Sequence, residues 1–134
     1  MWTHSFEVTT GRTPAVVDLT SRINAALSGR GDGLVHVFLP HATAGLAVME
    51  VASGSEPDLL DRLIDLLPPT VPYHHRHGTP GHGRDHVLPA IIPPALVLAV
   101  RAGRLDLGTW QSVVLVDTNV DNPVRTVKLS FLAG

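Results

Sequence analysis

The chain has 134 residues, which suits a single domain, and 44% of them are hydrophobic, enough to form a core. Ten Lys and Arg residues against twelve Asp and Glu residues give a net charge of −2, which argues against a general binder of nucleic acid or of membrane surfaces. The chain has no cysteine, which excludes disulfides, thiolate metal sites and a cysteine nucleophile. No apolar run approaches the roughly 18 residues of a membrane span, so we expect a cytoplasmic location.

The N-terminal half predicts strands separated by one short helix. Residues 2–10, WTHSFEVTT, alternate polar and apolar side chains as a strand does. The period then changes, and residues 20–28 are expected to form a helix, with Asp18 or Thr20 at its start and Gly29 beyond its end. Two apolar runs of strand length follow, GLVHVFLP and GLAVMEV.

The next segment, SEPDLLDRLIDLLPP, has the pattern of an amphipathic helix. Ser55 is the expected cap, Pro57 lies in the first turn, and Pro68 and Pro69 stop the helix. The predicted apolar face consists of Leu59, Leu60, Leu63, Ile64 and Leu67.

The C-terminal half is predominantly extended. DHVLPAII predicts a short helix, because Pro89 is tolerated only near a helix start. Residues 95–120 predict a hairpin that leads into a long buried strand, and VRTVKLSFLAG predicts a closing strand. The sum is one α+β domain over residues 1–134 in which strands outnumber helices.

Residues 73–86, YHHRHGTPGHGRDH, contain five of the eight histidines, and three interpretations compete for them. In the first they bind a metal, since the i, i+4 spacing of His82 and His86 directs both rings to one helix face. Gly81 and Gly83 argue against a regular helix there. A third ligand would come from elsewhere, with His41 or Asp117 as candidates.

The second interpretation of this segment is an anion pocket. Asp85 would cap a helix that starts near His86, whose free N–H groups attract phosphate, and Arg84 would add positive charge. In the third interpretation the segment is a solvated basic loop. His74, His75 and His77 are expected to be solvated in any case.

Two further polar groups could contribute to a site. In PHATAG, His41 and Thr43 follow a strand at a turn that can present backbone N–H groups to a ligand. Trp110 and Gln111 precede the predicted buried strand, and Asp117 ends it. Neither a nucleotide-binding glycine fingerprint nor a nucleophile elbow is present.

Taken in order, these segments resemble the small YjbQ-like family named for secondary thiamine-phosphate synthase activity. The resemblance runs from about residue 3 to residue 134. Its most specific element, Gly-x-Leu-x-Leu-Gly-Thr-Trp-Gln, is matched by residues 103–111. The second most specific is His-x-Thr-Ala, matched by residues 41–44, and the third is the histidine that opens the family's short helix, matched by His86. The chain has Met49 and His82 where the family commonly has Asn, and Leu88 where it commonly has Lys.

The resemblance implies a fold, an assembly and an activity. The fold is a two-sheet β-sandwich with a few short helices, which assembles as a trimer with pockets near the subunit boundaries. The activity is the transfer of hydroxymethylpyrimidine diphosphate onto thiazole phosphate, with release of pyrophosphate.

The leading hypothesis is therefore a small enzyme with a His-rich pocket for a phosphorylated small molecule, working as a homotrimer without nucleic acid or membrane partners. The expected catalytic residues are His41, Glu50 and His86, and the expected substrate-binding residues are Thr43, His82, Trp110, Gln111 and Arg125. A divalent metal, Mg or Zn, would be held by His82, His86 and His41. The alternatives are a non-catalytic metal- or metabolite-binding trimer and a purely structural protein.

Overall fold

The structure is a computed structural model that describes residues 1–134, with eight strands and four helical segments. The strands are β1 (Trp2–Thr9), β2 (Ala15–Asp18), β3 (Gly33–Phe38), β4 (Ala44–Met49), β5 (Ala95–Arg101), β6 (Arg104–Leu105), β7 (Ser112–Asp117) and β8 (Val124–Ala133). The helices are α1 (Thr20–Leu27), α2 (Ser55–Leu66) and the one-turn segments α3 (His82–Asp85) and α4 (Leu88–Ile91).

The strands form two antiparallel sheets, which confirms the predicted α+β sandwich. The larger sheet has the order β1-β8-β3-β5-β6, and the smaller has the order β2-β7-β4. Alternate side chains of the two sheets meet in one core, to which β3 contributes Val35, β8 contributes Leu129 and β7 contributes Leu115. Ile23 of α1 closes the same core.

The central strand β7 is buried on both faces. Val113 and Leu115 point into the main core, while Val114 and Val116 pack on the other side against α2 and α4. This double burial explains why SVVLVD is a continuous apolar run and does not alternate.

The predicted helices occur with small shifts at their ends. Asp18 accepts a hydrogen bond from the Thr20 N–H at 2.9 Å, as expected of a residue at the start of α1. In α2 the predicted cap was wrong by one residue, because Gly54 occupies the cap position with φ 102° and Ser55 already belongs to the helix. Ile64, expected on the apolar face, is half exposed.

The outer face of the larger sheet is covered by no helix or strand of the chain and carries exposed apolar side chains. Leu34 is 48% exposed, Leu132 opposite it is 59% exposed, and Val97 on the neighbouring strand is 63% exposed. None of the helices has the length and apolar character needed to cross a bilayer.

Candidate functional site

A cleft of about 400 Å³ lies at one end of the smaller sheet, where three loops meet. The pairing of Ala44 with Asp117 places the start of β4 beside the end of β7, so the loop before β4 and the loop after β7 are neighbours. The third wall is α3 with the segment before it. Four histidines line the cleft, namely His41, His77, His82 and His86.

Arg125 forms part of the cleft wall, and its Nε and Nη2 atoms are already paired within the protein. Its Nε donates to Asp117 Oδ2 at 2.7 Å, and its Nη2 donates to Asp117 Oδ1 at 3.0 Å and to Thr43 Oγ1 at 2.9 Å. Thr10 Oγ1 also donates to Asp117. The bidentate ion pair of Arg125 with Asp117 and the hydrogen bond to Thr43 hold the loops together, and the expected binding of substrate by Arg125 and Thr43 stays a prediction.

Arg84 and Asp85 likewise point into the protein, which corrects the expected anion site at this turn. Arg84 Nε donates to Asp85 Oδ1 at 2.9 Å, and Nη1 donates to the Leu67 carbonyl at 3.2 Å. Asp85 Oδ1 also accepts from Thr118 Oγ1 at 2.7 Å. Asp85 therefore lies at the end of α3 and does not cap a helix starting at His86, so the two charges cancel inside the fold.

His82 and His86 lie on one helical turn, although the flanking glycines argued against a helix there. The His86 N–H donates to the His82 carbonyl, and Gly81 precedes the turn with φ 89°. The two imidazoles meet with their Nε2 atoms 3.1 Å apart. The i, i+4 spacing therefore does direct the two rings to one face of a helical turn. The turn forms because the buried hydrogen bonds of Arg84 and Asp85 offset the low helix propensity of glycine.

His75 belongs to this histidine group, and its expected place in a solvated loop was wrong. Its ring stacks on that of His86 with centroids 4.3 Å apart, and it is half buried. His77 remains exposed, with its ring centroid 4.0 Å from that of His75. Burial and then the neighbouring His77 lower the pKa of His75. Burial and then His82 lower the pKa of His86.

His41 faces the cleft from the opposite loop with its tautomer determined by the backbone. Its Nε2 accepts the Thr126 N–H at 2.9 Å, so the neutral ring carries its proton on Nδ1. Burial and the Arg125 guanidinium lower its pKa, which keeps the ring neutral. His41 is therefore a hydrogen-bond donor at this site and not a metal ligand through Nε2.

Three of the expected site residues lie at the other end of the smaller sheet. Glu50 follows β4, and Trp110 and Gln111 precede β7, whose antiparallel pairing joins Met49 to Ser112. A six-residue strand separates its ends by about 17 Å, so none of the three reaches the cleft of its own chain. Trp110 is 76% exposed, and Gln111 Oε1 accepts the Gly108 N–H within its own turn.

Asp121 is a member of the site that was not expected from the sequence. Its Oδ2 lies 3.1 Å from His82 Nδ1, and both carboxylate oxygens accept from Thr79 Oγ1 at 2.9 Å. Hydrogen bonds from Thr79 lower the pKa of Asp121, and the nearby His82 acts in the same direction. The run DTNVDN that contains it is a polar turn in the sequence, which gives no sign of which histidine it meets.

The lowered histidine pKa values predict that the metal-free protein loses stability in mild acid. Because the unfolded histidines titrate near their usual value of about 6.5 and the folded ones below it, the unfolded state takes up protons first as the pH falls. The free energy of unfolding should therefore be fully retained above about pH 7.5 and decline as the pH drops through 6.5 toward the folded pKa values.

Urea titrations from pH 8 to pH 5 in the presence of chelator test this prediction. The His41→Asn variant should show a flatter dependence of the free energy of unfolding on pH. A wild-type profile that is flat or rises on acidification would contradict it.

Comparison with known proteins identifies the family. Residues 4–134 match the family model described as UPF0047 protein YjbQ-like. A UPF0047 protein of Mycobacterium bovis is 52% identical over 119 residues, which cover 89% of this chain and 92% of that protein.

Two crystal structures share the fold over nearly their whole length. A hypothetical protein of Aeropyrum pernix superposes with a TM-score of 0.88 at 36% identity and covers 100% of both chains. A conserved hypothetical protein of Thermus thermophilus has a TM-score of 0.85 at 38% identity, covering 96% of this chain and 99% of that one. With the family model matching almost every residue, the chain belongs to the UPF0047 YjbQ-like family.

Proposed function

We propose that the chain is an enzyme that acts on a phosphorylated small molecule bound in the histidine cleft. The observation that supports this best is the convergence of His41 and the α3 histidines on one cleft from loops distant in sequence. Such a group of polar side chains in a concave site, several of them with shifted pKa values, is typical of active sites.

The proposed role of His41 follows from its tautomer. With Nε2 occupied by the Thr126 N–H, the ring offers Nδ1–H as a donor for an anionic oxygen. Because the ring is neutral and held by the backbone, little reorganisation is needed when charge develops on that oxygen. The hydrogen bond from this donor would stabilise the negative charge of the substrate, and Arg125 would contribute positive charge only from within its ion pair with Asp117.

The proposed reaction is the transfer implied by the family resemblance. The thiazole nitrogen would form a bond to the methylene carbon of hydroxymethylpyrimidine diphosphate, and the carbon–oxygen bond would break with its electrons leaving on pyrophosphate. His41 would donate to an oxygen of that leaving group. A protein that binds such a metabolite without turnover is the alternative.

We also propose that the chain forms a homotrimer in the cytoplasm. Leu34, Val97 and Leu132 are exposed apolar side chains on a sheet face that the chain itself does not cover, and exposed apolar surface of this kind is typical of interfaces.

The test of this function is the His41→Ala variant in a pyrophosphate-release assay with both thiamine precursors. We expect turnover to fall by about 10²–10³-fold, the usual effect of removing one preorganised donor. His41→Asn, whose amide nitrogen can replace Nδ1–H, should retain more turnover than His41→Ala. His74→Ala, in an exposed position of the same histidine-rich segment, is the matched control.

Light scattering should give the mass of three chains for the wild type and for each variant. Unchanged kinetics in His41→Ala would contradict the role of His41. A wild-type protein that is inert with these precursors, but is stabilised against heat by pyrophosphate, would support the binding protein over the enzyme.

A further inference from the structure

His75, His82 and His86, here called the three-histidine cluster, have the composition and spacing of a metal site. One ring nitrogen from each lies within 4.8 Å of the others, and all three side chains are half buried. We propose that this cluster binds one Zn²⁺ ion, or a transition-metal ion of similar preference, with the Asp121 carboxylate as the partner that orients His82. The proposal rests on this geometry and does not depend on the substrate or reaction proposed above.

The His82 and His86 pair already has nearly the spacing of two zinc ligands. Their Nε2 atoms are 3.1 Å apart, and their rings are close to perpendicular at 83°. Tetrahedral zinc with bonds of about 2.0–2.1 Å to nitrogen holds its ligands about 3.3 Å apart. His75 is the ligand that has to move closer, and it comes from a segment without regular secondary structure.

Two buried ring nitrogens of the cluster, His75 Nδ1 and His82 Nδ1, are inaccessible to solvent and lack an aligned hydrogen-bond partner. For His82 Nδ1 the Asp121 carboxylate is available at 3.1 Å, so this atom is not counted as a metal ligand. Near His75 the chain offers the His77 backbone, which is not aligned with Nδ1. Because buried polar atoms are nearly always paired, His75 is the ring for which a bond from its lone pair to a metal ion would supply a missing partner.

Asp121 occupies the place of the carboxylate that commonly supports a zinc-bound histidine. Its Oδ2 is 3.1 Å from His82 Nδ1, on the side of the ring opposite to Nε2, although the N–H bond is not aligned with that oxygen in this conformation. Thr79 holds the carboxylate from the other side. A carboxylate at Nδ1 fixes the tautomer that leaves Nε2 free to bind metal.

The donor set selects the type of ion. Three imidazoles suit zinc, copper or nickel, whereas magnesium and calcium prefer oxygen ligands, so Zn²⁺ is a better fit than Mg²⁺. Three protein ligands leave a fourth position, and because His82 and His86 line the cleft, that position lies beside the space His41 faces. His41 is excluded as a ligand through Nε2 because that atom accepts the Thr126 N–H.

Calorimetric titration of the chelator-treated protein with Zn²⁺ tests the site. We expect one ion per chain, together with a rise in melting temperature. His82→Ala and His86→Ala should each remove this binding, and His75→Ala should weaken it, with His74→Ala as the matched control that leaves it unchanged. Circular dichroism of each metal-free variant verifies that it is folded.

Asp121→Asn separates the orienting role of the carboxylate from a structural one. It should keep the stoichiometry of one ion while weakening affinity by about 10–100-fold, the usual effect of losing such a partner.

With Co²⁺ as a spectroscopic probe, the wild type should show the intense visible bands of a four-coordinate ion, and His82→Ala should lose them. Equal Zn²⁺ affinity in the wild type, His82→Ala and His86→Ala, or less than one ion per chain in the wild type, would overturn the proposal.

Discussion

Replacing Arg125 with methionine is expected to lower the free energy of unfolding by about 3–5 kcal/mol, the usual cost of breaking a buried ion pair from one side. The guanidinium is fully buried, and its loss leaves the Asp117 carboxylate in the interior without its bidentate partner. Thr43 Oγ1 would lose a hydrogen bond in the same step. For a domain with about 5–15 kcal/mol of total stability, this change removes a large share.

The double variant Arg125→Met with Asp117→Leu distinguishes an unpaired charge from lost packing. If the cost comes from the isolated carboxylate, replacing both partners with apolar side chains should recover much of the stability. Urea unfolding followed by circular dichroism measures the stability of the wild type and of both variants. A single Arg125→Met variant as stable as the wild type would contradict the predicted role of the pair.

Leu115→Ala is expected to cost about 2–5 kcal/mol, because it leaves a cavity between the two sheets. Leu115 is fully buried on β7, and that strand is enclosed on both faces, so its backbone has little freedom to collapse into the space. Leu66→Ala, at an exposed position of α2, is the matched control and should change stability by no more than about 0.5 kcal/mol. Equal effects of the two substitutions in urea titrations would show that β7 is not the centre of the core.

The strands could be predicted because each has a distinct periodicity. Alternation identified the first and last strands, and the unbroken apolar run identified β7. The one-turn helix α3 was not predictable from propensity, because Gly83 inside it disfavours a helix by about 1 kcal/mol and Gly81 precedes it in a left-handed conformation. Its buried Arg84 and Asp85 contacts come from distant parts of the chain.

The site could be predicted only in part. His41, His82 and His86 stood out as histidines beside turns, and they do meet in one cleft. His75 could not be separated from His74 and His77, because neighbouring residues of an irregular loop show no periodicity that would tell an inward side chain from an outward one. Glu50 and Trp110 lie at the opposite end of the smaller sheet from the cleft of their own chain, a separation that could not be predicted because sequence order does not reveal which end of an antiparallel strand faces the site.

The position of β8 in the larger sheet has a consequence for how the protein folds during synthesis. β8 pairs with β1 on one side and with β3 on the other, so residues 2–9 cannot join the larger sheet until residues 124–133 have been made. Until then the apolar faces of β1 and β3 lack their neighbour and are exposed to other chains in the cell. Pairing over such long sequence separations predicts slow folding, on the order of milliseconds to seconds. We therefore expect nascent chains halted before residue 124 to be protease-sensitive and to require a chaperone to stay soluble.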